Sequence, residues 1–250
     1  MSAKIKPEDF AETSIWKSVR GACNFARARH EPVFVCGPSQ IGKTVALEEY
    51  ARRAESGPAV YTRMPAAPSL SLFLRRLARD CGKPAQTAGY AARENIEESF
   101  EGGDAILIVD EMHGAFDGAR PGTGKSIAEF IREILDRTGI GVVFAGTRLM
   151  LDEYQGGRAA ATLEQTLRRG IVKCRLPDIP PRGDVLLFAA AFGLPKPDAE
   201  SSAIIDRILA QNGIGHIRSF LHAASNLAKN RNETLAWQHF RIAYDVVSKQ

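Results

Sequence analysis

The chain has 250 residues, of which 44% are hydrophobic and 25% are charged, an ordinary balance for a globular protein. No apolar run approaches the ~20 residues that a membrane span needs, and the first ten residues lack the apolar centre of a secretory signal. The four cysteines have no metal-binding spacing. We therefore expect a cytoplasmic protein without a membrane partner. The formal net charge of +4 permits contact with nucleic acid but does not argue for it alone.

Helical and extended patterns alternate over the first 176 residues. Helices are predicted from stripes of apolar residues, and strands from short, continuous apolar runs that suit burial on both faces of a sheet. In chain order the predictions are helix 11–30, strand 32–36, helix 45–55, strand 59–63, helix 70–81, strand 105–109, helix 126–138, strand 141–145, helix 159–167 and strand 171–176.

This alternation predicts an α/β domain, a five-stranded parallel sheet between helices, over residues 1–180. The proline-rich segment 177–182 ends that pattern, and every later element reads as a helix. Residues 181–250 are therefore expected to form a small helical lid domain. Its predicted helices cover residues 183–192, 198–211, 217–230 and 234–248.

A phosphate-binding motif follows the first predicted strand. The segment matches the Walker A pattern at every fixed position: Gly37, Pro38, Ser39, Gln40, Ile41, Gly42, Lys43 and Thr44, with Val45 opening the next helix. Glycine lets the main chain wrap phosphates closely, and the following helix directs its positive end at them. We expect Lys43 to reach the β- and γ-phosphates of ATP, and the Thr44 hydroxyl to bind Mg²⁺.

A second Gly-Lys-Ser sequence, at residues 124–126, has a different interpretation. The pattern would require glycine at position 119, where the chain has Ala119, and no apolar strand precedes the segment. We interpret residues 121–126 as a turn that caps the next helix.

An acidic pair ends the third predicted strand and matches a Walker B motif. Ligand sites in parallel sheets lie beyond the carboxyl ends of the strands, which is where Asp110 and Glu111 emerge. Asp110 is expected to bind Mg²⁺, and Glu111 to orient and polarise the attacking water. The adjacent Glu111 favours an ATP-hydrolysing machine over a small-molecule kinase.

Four further polar residues have weaker patterns. Thr147, after the fourth strand, is a candidate contact for the γ-phosphate or the lytic water, with a helix N-cap as the alternative. Arg168 and Arg169 are candidates for stabilising transition-state charge on a neighbouring subunit's nucleotide; a solvated helix end is the alternative, and Arg158 is a weaker competitor. Arg218 could reach the nucleotide from the lid, or be a surface arginine.

These residues together resemble the AAA+ ATPases of DNA transposition, the group that includes the phage Mu B, TnsC, TniB and IstB-like proteins. The resemblance rests on the two Walker motifs, Gly146-Thr147-Arg148, Arg168-Arg169, the proline-rich linker and the helical lid, and it covers roughly residues 12–230. It implies an AAA+ fold, Mg²⁺-dependent ATP hydrolysis, assembly into rings or filaments on double-stranded DNA, and recruitment of an integrase-like (DDE) transposase.

The resemblance also places DNA contacts after the second strand, in residues 63–98. Residues 63–93 hold six basic side chains and one acidic one, a local excess of +5 that suits phosphate contacts. Arg63, Lys83 and Arg93 are the preferred contacts, the last two because they flank a segment expected to be non-helical. For Arg75, Arg76 and Arg79 the alternative interpretation is that they form the wet face of a helix, the face exposed to solvent.

Other functions remain as alternatives. A STAND-like or other AAA+ switch ATPase would act on a protein partner without DNA. The string Asp110-Glu111-Met112-His113 also matches a DExH helicase box, but a helicase needs a second RecA-like domain that about 70 residues after the linker cannot form. A small-molecule kinase would need a substrate lid with clustered arginines, which the sequence does not show.

Overall fold

The computed structural model describes residues 10–84, 89–116, 120, 122–148 and 172–248. Among them, no helix is both long enough and apolar enough to cross a membrane. The described chain forms two compact units. One comprises residues from Met1–Lys17, Pro38–Gly42 and Pro177–Gln250, and the other comprises Ser18–Gly37 with Lys43–Leu176. The domain boundary expected near residue 180 stays a prediction.

The second unit is built on a five-stranded parallel sheet, which confirms the predicted α/β class. Its strands, each within about one residue of the expected bounds, are β1 Pro32–Cys36, β2 Ala59–Arg63, β3 Ile106–Asp110, β4 Gly141–Gly146 and β5 Val172–Arg175. Their spatial order is β2-β3-β4-β1-β5. Every residue of β1, β3 and β4 is buried, as their continuous apolar runs predict.

Helices flank the sheet and follow the expected order. Those described before β5 are α1 Ser14–Arg29, α2 Lys43–Arg53, α3 Leu70–Asp80, α4 Tyr90–Glu98 and α5 Thr123–Thr138. Of the segment interpreted as a capping turn at residues 121–126, Gly122 lies at the N-cap of α5 in the left-handed conformation (φ 84°), and residues 123–126 belong to the first turn of the helix. The helix predicted at residues 159–167 lies outside the described residues.

One expectation about this region is wrong. Helix α4 occupies part of the segment that we expected to be non-helical, so Arg93 lies inside a helix and not at the end of a loop. Only Ala92 and Ile96 of α4 are buried, which leaves too weak an apolar stripe to predict a helix from the sequence.

The two faces of the sheet pack against different helices. On one face, Phe34, Leu107 and Phe144 join α3, α4 and α5 in one large apolar core. On the other face, α1 approaches β4 so closely that a Cβ added at Gly141 would lie 2.4 Å from the carbonyl oxygen of Ala26. Residues alternate between faces along a strand, so Asp110 shares its face with Ile106 and Ile108, away from that apolar core.

The first unit contains the helices after β5. They are α6 Arg182–Ala191, α7 Ala199–Asn212, α8 Ile214–Asn230 and α9 Trp237–Ser248, and they enclose their own apolar core. Buried Asp184 near the start of α6 accepts hydrogen bonds from the backbone N–H and the hydroxyl of Ser14, both 2.8 Å. This carboxylate therefore completes the hydrogen bonding of a backbone N–H in the first turn of α1.

Candidate nucleotide-binding site

The Walker A segment has the backbone conformation that a phosphate loop needs. Gln40 (φ 63°) and Gly42 (φ 102°) both adopt positive φ values, and only glycine takes the second without strain. Left-handed residues between right-handed ones form concave nests of N–H groups that bind anions. Helix α2 begins directly afterwards, at Lys43, and adds the positive end of its dipole.

Lys43 lies at the start of this helix and is almost entirely buried. Its side chain is 7% exposed, and its Nζ donates to the carbonyl oxygen of Gly37 at 2.9 Å. Burial lowers the pKa of Lys43, while the carboxylates of Asp110 and Glu111 oppose that shift. A bound polyphosphate would favour the charged form of Lys43 by the same electrostatic rule.

Asp110 is the centre of the polar cluster at the ends of β2 and β3. It is fully buried, and its Oδ2 accepts hydrogen bonds from the hydroxyls of Thr44 (2.7 Å) and Tyr61 (2.9 Å). Its Oδ1 accepts the backbone N–H of Glu111 at 2.8 Å. These three donors satisfy both oxygens of a carboxylate that is buried away from water. The structure thus brings together Thr44 and Asp110, the two residues predicted to bind a metal.

Glu111 lies at the rim of the same cluster. Its backbone is left-handed (φ 57°), which costs a residue other than glycine about 1–3 kcal/mol and is typical of functional sites. Its carboxylate lies 3.3 Å from Nη2 of Arg63 and 3.4 Å from Nε2 of His113. The strained turn therefore places the Glu111 carboxylate beyond the end of the sheet, which is the position that a residue polarising a water molecule requires.

Two neighbours of Asp110 were missed by the sequence analysis. Tyr61 lies on β2, and Glu48 lies on α2 one turn after Thr44. Burial raises the pKa of both groups, and the charge of Asp110 adds to each shift. The only sequence pattern that could have indicated Tyr61 is its position two residues before Arg63, on the same face of the strand.

Thr147 follows β4, the strand between β1 and β3. The preceding residue, Gly146, accepts the N–H of Gly37 at 3.4 Å, so the end of β4 meets the start of the Walker A segment. The Thr147 hydroxyl is buried, and within the described part of the chain it has no hydrogen-bond partner. Such an orphaned group fits a residue that completes its hydrogen bonds with a ligand or a water, and the role of Thr147 stays a prediction.

The turn before α8 contacts the Walker A segment inside the first unit. Gly215 donates its N–H to the carbonyl oxygen of Gln40 at 3.2 Å, and a Cβ on Gly215 would lie 2.2 Å from Gln40 Oε1. A larger residue at position 215 would therefore require the end of the Gln40 side chain to move. Half-buried Arg218 lies one turn further along α8, and its nucleotide contact stays a prediction. Arg168 and Arg169 lie outside the described residues.

The three preferred DNA contacts are described, and each forms an ion pair within the chain. Arg63 pairs with Glu111, Lys83 lies 3.1 Å from Glu98, and Arg93 lies 2.9 Å from Glu133. Arg93 also stacks on the Phe130 ring. Arg75 and Arg79 are exposed on α3, as the wet-face interpretation expects, whereas Arg76 is half-buried.

Comparisons with known proteins bear on the family and the fold of the chain. A protein-family profile described as AAA domain matches residues 27–155, just over half of the chain. The ATP-dependent target DNA activator B of Escherichia phage Mu is 26% identical over 244 residues, which are 96% of this chain and 73% of that protein. The Mu-like prophage FluMu DNA transposition protein B of Haemophilus influenzae is 25% identical over 227 residues, 90% of this chain and 75% of that protein.

A solved structure supports the fold. A Walker-type ATPase of Pyrococcus abyssi superposes with a TM-score of 0.65 at 11% identity, covering 100% of this chain and 75% of that one. At that identity the likeness shows the fold alone. Together these findings confirm the resemblance to transposition ATPases and the P-loop architecture expected from the sequence.

Proposed function

Because the chain belongs to the AAA domain family and is an ATPase, we propose that it binds duplex DNA in an ATP-dependent way and regulates DNA transposition. The observation that carries this proposal is the match, over nine tenths of the chain or more, to two proteins whose names specify target DNA and DNA transposition. An intact pair of Walker acids supports turnover in addition to nucleotide binding.

Magnesium accompanies the nucleotide in this proposal. The fit rests on the donor set: the Thr44 hydroxyl and the Asp110 carboxylate, 2.7 Å apart, offer the hard oxygen ligands that Mg²⁺ prefers. The ion would neutralise negative charge on the phosphate oxygens. Thr44 and Asp110 would hold it, directly or through water.

The remaining chemistry belongs to residues of the chain. Lys43 binds the β- and γ-phosphates, and Glu111 polarises the water that attacks the γ-phosphate. Thr147 contacts that water or the phosphate with its hydroxyl, and Arg218 contacts the nucleotide from α8. Arg168 or Arg169 supplies positive charge to a neighbouring subunit's site, so the active form is an assembly, a ring or a filament.

DNA contact is proposed for Arg63, Lys83 and Arg93. Each already pairs with a carboxylate, so DNA phosphates must compete with Glu111, Glu98 and Glu133 respectively. Arg63 is 48% exposed, against 32% for Lys83 and 31% for Arg93, so it exchanges partners most readily. An integrase-like transposase is the proposed protein partner of the DNA-bound assembly.

A direct test compares ATP hydrolysis with and without long duplex DNA, over a series of salt concentrations. The proposal expects DNA to accelerate turnover, and expects ATP to promote co-sedimentation with DNA that weakens as salt rises. Unchanged hydrolysis and unchanged sedimentation would contradict the DNA role. They would favour instead a switch ATPase that acts on a protein partner.

A further inference from the structure

Strand β2 lies at the edge of the sheet, beside the strand that carries the Walker acids. The β2–β3 register pairs Arg63 with Asp110 and Tyr61 with Ile108. Tyr61 and Arg63 share one face because they are two residues apart. From there Tyr61 reaches diagonally forward to Asp110, while Arg63 reaches Glu111.

The hydrogen bond from Tyr61 fixes one particular oxygen. Tyr61 and Thr44 both donate to Oδ2 of Asp110, and the backbone N–H of Glu111 donates to Oδ1. Both hydroxyls donate and the carboxylate accepts, so the rotation of the group about its Cβ–Cγ bond is set from three directions. Thr44 is itself a proposed metal ligand. Tyr61 is thus the donor to Oδ2 that has no other part in the site.

We propose that Tyr61 is a positioning residue for magnesium, holding the Asp110 carboxylate in the orientation in which it receives the ion together with Thr44. This inference rests on the proposed Mg²⁺ site and adds to it a residue that neither Walker motif contains. Groups that orient a metal ligand contribute strongly to affinity, and their loss typically costs 10- to 100-fold. Tyr61 acts through Asp110 and touches neither the nucleotide nor water in this account.

A second tyrosine provides a matched control. Tyr50 is on α2 in the same unit, and its hydroxyl also makes one partly buried hydrogen bond, 2.9 Å to Asn24 Oδ1. Tyr50→Phe and Tyr61→Phe remove the same atom from the same residue type. Only the second removal takes a donor from Asp110.

The test measures binding of a non-hydrolysable ATP analogue, once in excess EDTA and once in saturating Mg²⁺. The ratio of the two affinities gives the coupling between metal and protein without any turnover. Tyr61→Phe should bind the analogue with the parental affinity in EDTA. The factor by which Mg²⁺ raises that affinity should be roughly 10-fold smaller than in the parent. Tyr50→Phe should keep the parental enhancement.

Each other result contradicts the inference. A Tyr61→Phe variant that keeps the full enhancement, with or without a lower melting temperature, assigns the hydroxyl to the stability of the sheet edge alone. Equal losses in EDTA and in Mg²⁺ would show general damage to the site. A parent protein whose analogue affinity does not respond to Mg²⁺ would overturn the proposed metal site itself, and the role of Tyr61 with it.

Discussion

The Arg63 guanidinium lies 3.3 Å from the carboxylate of Glu111, so a proposed DNA contact pairs directly with the proposed water-activating residue. The two residues end adjacent strands, β2 and β3, and Arg63 is aligned with Asp110 in the register between them. Both partners are partly exposed, so the ion pair is weak and a competing phosphate can replace the carboxylate. In the proposed function, DNA binding and hydrolysis would therefore share one exchangeable contact.

Replacing Arg63 should separate these two activities. Arg63→Ala removes the arginine partner of Glu111 and leaves His113 beside it, so we expect basal ATP hydrolysis to rise and its stimulation by duplex DNA to disappear. The loss of one phosphate contact should also make the negative slope of log affinity against log salt concentration less steep, by about 0.9. Steady-state ATPase assays and DNA binding at several salt concentrations measure both effects.

Arg79→Ala is the control for this experiment. Arg79 is an exposed arginine of α3 that pairs with its neighbour Asp80 and with no acid of the site. It should leave basal hydrolysis unchanged. Full DNA stimulation in the Arg63→Ala protein would refute the shared-contact model.

Glu111→Gln should separate binding from hydrolysis. The amide keeps the size of the side chain but cannot act as a base, so ATP affinity should stay near the parental value while single-turnover hydrolysis falls by about 10²- to 10⁴-fold. Glu129→Gln, on α5, makes the same chemical change at an exposed carboxylate and should hydrolyse ATP at the parental rate. Parental turnover in Glu111→Gln would remove Glu111 from the role.

An arginine that acts between subunits should be detectable by mixing variants. Lys43→Ala cannot bind nucleotide, and Arg168→Ala or Arg169→Ala cannot supply charge to a neighbour. If one of these arginines acts in trans, a mixture of two inactive proteins should regain part of the activity, because some interfaces combine an intact loop with an intact arginine. Mixtures that stay inactive at every ratio would argue against trans action by that arginine.

The pH dependence of stability should report the buried thiol at the end of β1. Burial raises the pKa of Cys36 from 9.0 to about 11. Between these values the unfolded chain loses a proton that the folded chain keeps, so the free energy of unfolding falls as pH rises from 9.0 towards 11, and the effect is absent below 9.0.

Cys36→Ala should show a shallower decline over this pH window. Its cavity lowers stability by an amount that does not depend on pH, so the slope is the informative quantity and not the absolute value. Urea unfolding at several pH values measures it. An identical slope in parent and variant would mean that Cys36 ionises normally in the folded protein.

The sheet and the Walker residues could be predicted because their constraints are local. A strand buried on both faces appears in the sequence as an unbroken apolar run, and the motif fixes Gly42, Lys43 and Thr44 at set spacings. Asp110 could be placed beside Thr44 because ligand sites gather at the carboxyl ends of parallel strands.

The role of Tyr61 could not be predicted, because it depends on which strands are neighbours. The sequence gives no sign that β2 lies against β3, and without that pairing a tyrosine in a strand is an ordinary apolar residue. The prediction that Arg93 ends a non-helical segment was wrong for a different reason. Helix α4 buries only two side chains, which are too few to form the apolar stripe from which a helix is predicted.

The most direct test of the account is nucleotide binding by two lysine variants. Lys43 and Lys125 both occupy a Gly-Lys-hydroxyl sequence, but Lys43 is buried at the start of α2 while Lys125 is exposed on α5 and paired with Glu129. Titration calorimetry with ATP and Mg²⁺ should show binding to the parent and to Lys125→Ala, and none to Lys43→Ala. Parental binding by Lys43→Ala, or no heat from the parent protein, would contradict the assignment of the nucleotide site.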